Sequence, residues 1–334
     1  MRVDEYMQAC LQDPAHGYWQ RRDTIGSAGD FITAPEISQT FGELIGLWCA
    51  AVWQSIGQPA PLRLVELGPG RGTLMRDALR AIKVSPQFAS ALSVHLVELS
   101  PSLRSEQERA MATSGHAPRW HENVRDVPLG PAILIANEFL DALPIRQLTF
   151  DEEWRERVVA VGPDGNLTFA IGAPVIYANA AVANLGDIAE LRPGEEALLA
   201  DLASRADPLA ALFIDYGPAE FAFGDTLQAV QRHSYADPLA SPGSADLTAH
   251  VQFATLADKA RGAGLAADGP LTQAEFLGRL GLAERTAALM AANSARAGEI
   301  ETAAHRLVSP TGMGTLFKVM AVRSAGLPPL VPFG

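Results

Sequence analysis

Short apolar runs alternate with amphipathic stretches through the first half of the chain. The runs at Arg63–Gly68, Ser93–Glu98 and Ala132–Ala136 have the length and β-branched content of buried strands. Helical patterns follow the first two runs, beginning near Thr73 and at Ser100. Strands that alternate with helices predict βαβ units, so we expect an α/β, Rossmann-like fold with a mostly parallel, doubly wound sheet.

Later parts of the chain add strands and one region of a different kind. Strand-like runs lie at Arg119–Asn123, Ala210–Gly217 and Thr315–Arg323. The stretch from Arg146 to Gly172 instead alternates at period two around Pro163-Asp164-Gly165, which is typical of a hairpin. It therefore predicts an antiparallel hairpin insertion between two parallel strands.

Two regions of the second half have no clear strand pattern. Residues 254–304 are rich in Ala, Leu, Glu and Arg with helical periodicity, so we expect a helical region near the end of the chain. Tyr235–His250 carries Pro, Ser and Gly and is expected to form a loop.

Composition and charge narrow the classes of function. The chain of 334 residues is 48% hydrophobic and 19% charged, as is ordinary for a soluble globular protein, and no apolar run could span a bilayer. Cys10 and Cys49 offer neither a disulfide framework nor metal-ligand spacing, so no metal is predicted. The N-terminal sequence resembles neither a secretory signal nor a transit peptide, which favours a bacterial, cytoplasmic protein. A net charge of −12 without a basic run argues against a nucleic-acid partner.

A glycine-rich turn follows the first predicted strand. The sequence VELGPGRGTL places Gly68, Gly70 and Gly72 where the chain turns into the first helix, so the backbone can approach a ligand closely. Thr73 stands where a dinucleotide fingerprint needs its third glycine. Glu66 would repel a pyrophosphate but suits a ligand with an ammonium group. The pattern resembles motif I of class I S-adenosyl-L-methionine (SAM)-dependent methyltransferases.

That resemblance gives a role to polar residues at the ends of neighbouring strands. Glu98 ends the second strand and is expected to accept hydrogen bonds from both ribose hydroxyls of the cofactor. Asn123, after the third strand, is a weaker candidate for contacting adenine, since it could equally be a turn residue. Asn137, at the end of the fourth strand, is also grouped with the cofactor-binding residues.

Carboxylates lie at the end of the fourth strand, where a methyl acceptor must sit in this fold. Holding a guanidinium takes paired carboxylates, because it is planar, always protonated and offers five donors. Glu138 and Asp141 are the best-placed pair for this role. In the alternative interpretation, Asp141 caps a short helix and Glu138 pairs with Arg146.

Four more polar residues are candidates for the acceptor side of the site. Asp215 and Tyr216 end a later strand, and Asp246 and His250 follow the predicted loop. A neutral histidine near the acceptor could take up the proton released after transfer. His250 is therefore a candidate base, although a lone histidine is more often a surface or packing residue.

Several longer motifs carry a more specific resemblance that covers nearly the whole chain. They occur in the order GDFITAPEISQTFGELIG, VELGPGRGTLMRDALR, ANEFLDALPIRQL, PGSADLTAHVQF and MGTLFKVMA. Together they resemble the MidA family of SAM-dependent methyltransferases, which includes the mitochondrial complex I assembly methyltransferase.

The resemblance implies a cofactor, a partner and a division of the chain. SAM would be the cofactor, and the acceptor would be an arginine of a partner protein, which in mitochondrial members is a core complex I subunit. Residues 1–60 would form an N-terminal helical extension covering the cofactor site, with Glu36 and Ser38 as lid or substrate contacts. Residues 61–334 would form the methyltransferase domain, with an insertion at about 146–208 and the helical region at about 254–304.

Other functions stay open on the sequence alone. An NAD(P)-dependent oxidoreductase would use the same sheet, although the missing third glycine argues against it. A non-catalytic assembly factor that binds SAM, or a methyltransferase acting on a small molecule, would also fit these motifs. A bacterial member need not share the mitochondrial target, and the sequence gives no oligomeric state.

Overall fold

The computed structural model describes residues 1–20, 32–178, 182–205 and 208–334. Gly29–Phe31, which begin the first family motif, lie outside this part. The chain divides into two compact units of three segments each. Unit 1 comprises Met1–Phe31, Asp141–Ala197 and Phe221–His250, and unit 2 comprises Ile32–Leu140, Leu198–Glu220 and Val251–Gly334. Residues 1–60, treated above as one extension, are thus divided between the two units.

The described residues contain strands and helices in alternation. The strands are β1 Leu62–Leu67, β2 Leu92–Val97, β3 Arg119–His121, β4 Ala132–Asn137, β5 Arg146–Asp151, β6 Glu153–Val161, β7 Leu167–Pro174, β8 Ile188–Leu191, β9 Leu209–Tyr216, β10 Gln228–Gln231, β11 Ser234–Ala236, β12 Asp246–Thr248, β13 Leu265–Thr272 and β14 Phe317–Ser324. The α-helices are α1 Val3–Gln12, α2 Ala34–Ile37, α3 Gln39–Ser55, α4 Thr73–Ile82, α5 Pro86–Ala91, α6 Pro101–Met111, α7 Pro193–Ala203, α8 Phe253–Gly262, α9 Gln273–Arg279, α10 Leu282–Ala292, α11 Ala297–Val308 and α12 Met313–Leu316.

Unit 2 is built on a seven-stranded sheet with the order β13-β14-β9-β4-β1-β2-β3. The pairs β1–β2, β1–β4, β2–β3 and β4–β9 are parallel, whereas β14 runs antiparallel to both of its neighbours. The predicted mostly parallel, doubly wound α/β sheet is therefore confirmed.

The central strands are buried because helices cover both faces of the sheet. Every residue of β4 is buried, and so is all of β9 except Tyr216, which explains why both strands are apolar up to Asn137 and Asp215 near their carboxyl ends. Helices α3 and α4 pack closely, since a Cβ on Gly46 would lie 2.5 Å from the carbonyl oxygen of Ala78. This packing fixes α4, whose first turn follows the glycine loop.

Backbone hydrogen bonds join the strand ends at the carboxyl edge of the sheet. The N–H of Gly68 donates to Val97 at 3.0 Å, and that of Glu138 donates to Ile214 at 2.9 Å. The chain ends of β1, β2, β4 and β9 consequently meet along one edge, which is where open α/β sheets bind ligands.

The described part of unit 1 contains two small antiparallel sheets and helix α1. The four-stranded sheet has the order β7-β6-β5-β8, and the three-stranded sheet has the order β11-β10-β12. Strands β6 and β7 form the predicted hairpin around Pro163-Asp164-Gly165, which confirms the antiparallel insertion. Val3, Met7 and Leu11 of α1 are fully buried in a core shared with Ile145.

The second half of the chain follows its predicted pattern in part. The predicted helical region at 254–304 is largely confirmed, since α8, α9, α10 and α11 lie mostly within it, but it also includes β13, which pairs with β14 at the edge of the large sheet. The expected loop at Tyr235–His250 contains most of β11 and all of β12, which pair with β10. No helix within the described ranges is long and apolar enough to cross a bilayer.

Candidate active site

The glycine loop has a backbone conformation that favours glycine at three positions. Gly68, Gly70 and Gly72 have φ angles of +59°, +51° and +80°, in the left-handed region that other residues rarely adopt. A Cβ on Gly68 would lie 2.9 Å from Cδ2 of Phe139, and a Cβ on Gly72 would lie 3.2 Å from Cα of Gln107. The loop is therefore a tight concave turn at the start of α4, as its sequence predicts.

Glu66 lies beneath this loop with a carboxylate in an unusual state. Its side chain is only 3% exposed, and burial raises its pKa to about 8, although a hydrogen bond from the N–H of Met75 lowers it and nearby Glu98 raises it further. Oε2 of Glu66 has no hydrogen-bond partner among the described residues. A buried carboxylate oxygen without a donor is suited to face a cationic ligand.

Glu98 stands at the end of β2 with both carboxylate oxygens held by the protein. Oε1 accepts the N–H of Ser100 at 2.8 Å, and Oε2 accepts Nε2 of Gln107 at 3.1 Å. Burial raises the pKa of Glu98, while these two donors lower it. Each oxygen keeps a further lone pair, so the carboxylate can still accept hydrogen bonds from a diol.

Gln107 is a site residue that the sequence analysis missed. It is fully buried on α6, where its Nε2 also donates to the carbonyl of Gly70 at 2.7 Å. Its Oε1 accepts Nε1 of Trp120 at 2.8 Å. Gln107 thus connects the glycine loop to Glu98. Its signal in the sequence was a polar residue four positions before Met111, on the buried face of the helix.

Asn137 and Glu138 end β4 in a strained arrangement. Glu138 has a φ of +49°, which is uncommon outside glycine. Its Oε1 accepts the N–H of Ala34 at 3.1 Å and Nδ2 of Asn137 at 3.1 Å. Oδ1 of Asn137 is buried and has no hydrogen-bond partner within the described part of the chain. Strained backbone of this kind concentrates at functional sites, where the surrounding contacts hold it in place.

The N-terminal side of unit 2 reaches the glycine loop through Glu36. The hydroxyl of Thr73, the first residue of α4, donates to Oε1 of Glu36, and the Arg71 guanidinium lies 3.9 Å from Oε2. These three residues line a polar cleft of about 500 Å³. Ser38 instead caps α3, where its Oγ accepts the N–H of Thr40 at 3.3 Å.

Asp215 and Tyr216 support the carboxyl edge of the sheet. Asp215 is fully buried, and its carboxylate accepts the N–H groups of Leu140 at 3.0 Å and Tyr216 at 2.9 Å. It therefore holds the segment after Glu138 in place. The ring of Tyr216 packs edge-on against Phe317, with centroids 5.5 Å apart.

Asn123 occupies a turn at the surface. It is exposed and precedes a short 3₁₀ helix, and its N–H donates to Asp126 at 3.1 Å. This is the turn position that the alternative interpretation expected. An adenine contact for Asn123 stays a prediction.

The other predicted acceptor residues belong to unit 1. Asp141 and Asp246 are buried, and the carbonyl of Asp141 accepts the N–H of Ala249 at 2.9 Å. The backbone of His250 is fixed by Thr226 and by the buried guanidinium of Arg192, which donates to its carbonyl at 2.8 Å. The pairing of Asp141 with Glu138 stays a prediction.

The alternative roles of Asp141 and Glu138 find no support. Residues 138–145 contain no helix, so the interpretation of Asp141 as a helix cap was wrong. Arg146, the alternative partner of Glu138, instead pairs with Glu156, whose Oε1 accepts Nε of Arg146 at 3.2 Å.

The residues at the carboxyl edge fit the group that motif I implies. SAM carries an ammonium, a sulfonium and a ribose diol. Glu66 offers a buried oxygen to which none of the described residues donates, and Glu98 is prearranged to accept from a diol. The loop from Gly68 to Gly72 leaves room for close backbone approach. The charged side chains at this edge are carboxylates, which suit a cationic cofactor.

Comparison with known proteins agrees with this chemistry. Residues 44–271 match the profile of a family of S-adenosyl-L-methionine-dependent methyltransferases. The chain is 37% identical to protein arginine methyltransferase NDUFAF7, mitochondrial, of Xenopus tropicalis, over 87% of this chain and 74% of that protein. It is 36% identical to the Drosophila melanogaster homologue, over 96% of this chain and 80% of that protein.

Solved structures from Burkholderia thailandensis share the whole fold. One of them, bound to S-adenosyl-homocysteine, superimposes with a TM-score of 0.87 at 28% identity and covers 98% of this chain and 88% of that one. A second, native structure gives a TM-score of 0.83 at 28% identity, over 99% of this chain and 89% of that one.

Proposed function

Because the chain belongs to the family of S-adenosyl-L-methionine-dependent methyltransferases, we propose that it methylates an arginine side chain of a partner protein. The relatives described above are named protein arginine methyltransferases. The observation that supports this substrate most directly is Glu138, a carboxylate held in strained backbone at the end of β4. Membership of this family also argues against the alternative function of an NAD(P)-dependent oxidoreductase.

The protein's part in this reaction is to bind and orient. SAM supplies an activated methyl group on a sulfonium. Glu66 and Glu98 would hold its cationic and ribose portions, and the glycine loop would contact it through backbone atoms. Gln107 keeps the loop and Glu98 in a fixed relation. Positioning of this kind contributes most of the rate in an in-line displacement.

Glu138 would bind the guanidinium of the acceptor. Two hydrogen bonds, from Ala34 and Asn137, fix Oε1, so the carboxylate has a defined direction. A carboxylate accepts bidentate hydrogen bonds from a guanidinium and draws positive charge away from the attacking nitrogen. Methylation of the guanidinium releases one proton, and Asp141 or His250 is the proposed acceptor of that proton.

A Glu138→Gln variant tests this function. Purified enzyme would be incubated with SAM and an extract of cells that lack the gene, and methylarginine would be measured after acid hydrolysis. We expect the wild type to form methylarginine and Glu138→Gln to lose about 100-fold or more of that rate, as when one electrostatic contact to the transition state is removed. Binding of S-adenosyl-homocysteine should change less than about threefold, since Glu138 holds the acceptor.

Glu122→Gln is the matched control, because Glu122 is exposed beyond the end of β3. It should keep the full rate. Methyl transfer to a small molecule or to another amino acid would contradict the proposed substrate. An absence of any transfer, with S-adenosyl-homocysteine still bound, would instead support the non-catalytic assembly factor.

The identity of the partner protein and the cellular location of this chain are also proposals. A complex I subunit is the target that the family resemblance implies, and the eukaryotic relatives are named mitochondrial. A cytoplasmic place for this chain stays a prediction. Mass spectrometry of methylarginine sites in cells with and without the gene identifies the partner, and a modified protein outside complex I would exclude that target.

A further inference from the structure

Unit 1 carries a group of aromatic side chains at its surface. This aromatic patch consists of Phe150, Trp154, Tyr177, Phe221 and Phe223, and each ring is partly exposed. The Trp154 ring lies 5.2 Å from Phe150, 5.2 Å from Tyr177 and 5.3 Å from Phe223, measured between centroids. Phe221 and Phe223 are 5.0 Å apart. Tyrosine and tryptophan are enriched at protein–protein interfaces, because each combines a large apolar ring with a polar group.

The sheet of unit 1 fixes the position of the patch. Phe150 and Trp154 are directly opposed across β5 and β6. The N–H of Val175 donates to the carbonyl of Trp154 at 2.8 Å, which places the segment of Tyr177 beside it. The N–H of Gly224 donates to Ile188 at 2.8 Å, next to Phe223. A surface built on a hydrogen-bonded sheet loses little conformational entropy on binding.

Exposed aliphatic side chains extend the apolar surface around the rings. Ile176, beside Tyr177, is fully exposed, and Leu185 is 76% exposed. The N–H of Gly186, next to Leu185, donates to the carbonyl of Phe150 at 2.9 Å, so this segment adjoins the patch. Exposed apolar side chains close to partly exposed rings are typical of an interaction site.

The charge beside the patch indicates which partner fits. The turn between β5 and β6 is acidic: Asp151 ends β5, Glu152 connects the strands and Glu153 begins β6, and all three are exposed. Arg155 lies 3.6 Å from Glu153 and offsets part of this charge. The turn still carries an excess of carboxylates. A complementary partner therefore presents apolar side chains together with arginine or lysine.

A second copy of this chain is a poor occupant. A symmetric dimer centred on the patch would place the acidic turn of one copy near the same turn of the other. Like charges opposed across an interface destabilise it. The net charge of −12 adds to this repulsion.

We propose that the aromatic patch and the adjoining acidic turn dock a basic, apolar segment of the protein substrate. The inference rests on the proposed function and deepens it, because it names a surface that selects the substrate protein. Docking outside the reacting groups raises affinity for the whole protein and leaves the chemical step unchanged.

A binding measurement tests the charge complementarity. The probe is a short fluorescein-labelled peptide of alternating arginine and leucine, titrated at low salt and followed by anisotropy. The triple variant Asp151→Asn, Glu152→Gln, Glu153→Gln should weaken binding by about tenfold, the sum of three exposed charge contacts. The matched triple variant Asp258→Asn, Glu299→Gln, Glu301→Gln removes the same charge from exposed positions of α8 and α11 and should change affinity less than about twofold.

A second variant tests the aromatic part. Tyr177→Ala should weaken binding of the peptide by about three- to tenfold, as expected for an aromatic ring at an interface. Val161→Ala, which changes an exposed apolar position on β6, should leave peptide binding unchanged. In the methylation assay, Tyr177→Ala should raise KM for the protein acceptor, with kcat and the Kd of S-adenosyl-homocysteine unchanged. Thermal unfolding shows whether each variant is folded.

The outcomes separate this inference from the proposed function. Equal weakening by both triple variants, or no effect of either, would overturn the docking surface. So would a wild-type dimer in sedimentation that Tyr177→Ala dissociates, since the patch would then bind a second copy. If the peptide binds at the patch as expected but no methylarginine forms, the proposed function is contradicted. The inference that the patch binds basic peptides would then still stand.

Discussion

The side-chain amide of Gln107 donates a hydrogen bond of 3.1 Å to Oε2 of Glu98. The same nitrogen donates at 2.7 Å to the carbonyl of Gly70, so one amide holds two parts of the cofactor site. We expect Gln107→Leu to weaken the binding of S-adenosyl-homocysteine by about 10- to 150-fold. The buried carboxylate of Glu98 loses a hydrogen-bond donor worth about 1.5–3 kcal/mol. Calorimetric titration measures this change.

Gln87→Leu is the control for this substitution. Gln87 is exposed on α5, so the same change of side chain there should leave the affinity unaltered. Equal affinities for wild type and Gln107→Leu would show that Glu98 is oriented without Gln107.

The buried carboxyl of Glu66 predicts a dependence of stability on pH. Its pKa is about 8 in the folded protein, against an ordinary value of 4.5, chiefly because of burial. Between these values the folded chain holds a proton that the unfolded chain releases. The free energy of unfolding of the ligand-free protein should therefore fall as pH rises from 4.5 to 8, by at most about 1.4 kcal/mol per pH unit from this group. Urea unfolding at several pH values, compared with Glu66→Gln, isolates this contribution.

The same carboxyl predicts proton release when SAM binds. A cationic ligand favours the ionised form of Glu66, so binding at pH 7 should release part of a proton. Calorimetry in buffers of different ionisation enthalpy measures that release. Glu66→Gln should abolish it, and an unchanged release in this variant would place the proton on another group.

The backbone of Glu138 predicts an inverted order of stability between two variants. At a φ of +49° alanine is strained and glycine is not, so Glu138→Gly should be more stable than Glu138→Ala by about 1 kcal/mol. At Glu299, exposed in helix α11, the order should be the usual one, with glycine less stable than alanine by about 1 kcal/mol. Thermal and urea unfolding of the four variants give both differences.

A comparison of Gly68 with Gly57 distinguishes two requirements for glycine, a positive φ and close packing against a neighbouring side chain. Both have a positive φ, of +59° and +92°, but a Cβ on Gly57 would meet no atom of the described residues within 4 Å. Gly57→Ala should thus lose only the conformational part, about 1 kcal/mol. Gly68→Ala must also displace Phe139, so we expect a larger loss of stability and weaker binding of S-adenosyl-homocysteine. Equal losses would mean that the Phe139 ring moves freely.

The strand ends were the most predictable part of the site. Glu66, Glu98 and Glu138 follow apolar runs in a βαβ pattern, and parallel strands bring such positions to one edge whatever the details of packing. The glycine loop was predictable for a related reason, since alternating glycines after a strand indicate a positive φ.

Contacts between elements distant in sequence were not predictable. Gln107 touches Gly70 through a helix packed on the loop, and neither segment carries a local signal of the other. Asp215 was correctly placed at a strand end, but only the structure shows its carboxylate turned inward to hold Leu140. Strand β13 was missed because its pairing with β14 makes it a strand, whereas its own sequence, which includes Gly269 and Pro270, is not strand-like.

The assembly of unit 1 from three separate segments affects how the chain folds during synthesis. Val3, Met7 and Leu11 of α1 become buried against residues such as Ile145, and the N–H of Val159 hydrogen-bonds to the carbonyl of Met1 at 2.8 Å. At a translation speed of about 5–20 residues per second, α1 must wait on the order of ten seconds for these partners. During that time the apolar side of α1 is exposed on the nascent chain, so this helix is a site where a ribosome-associated chaperone is expected to bind.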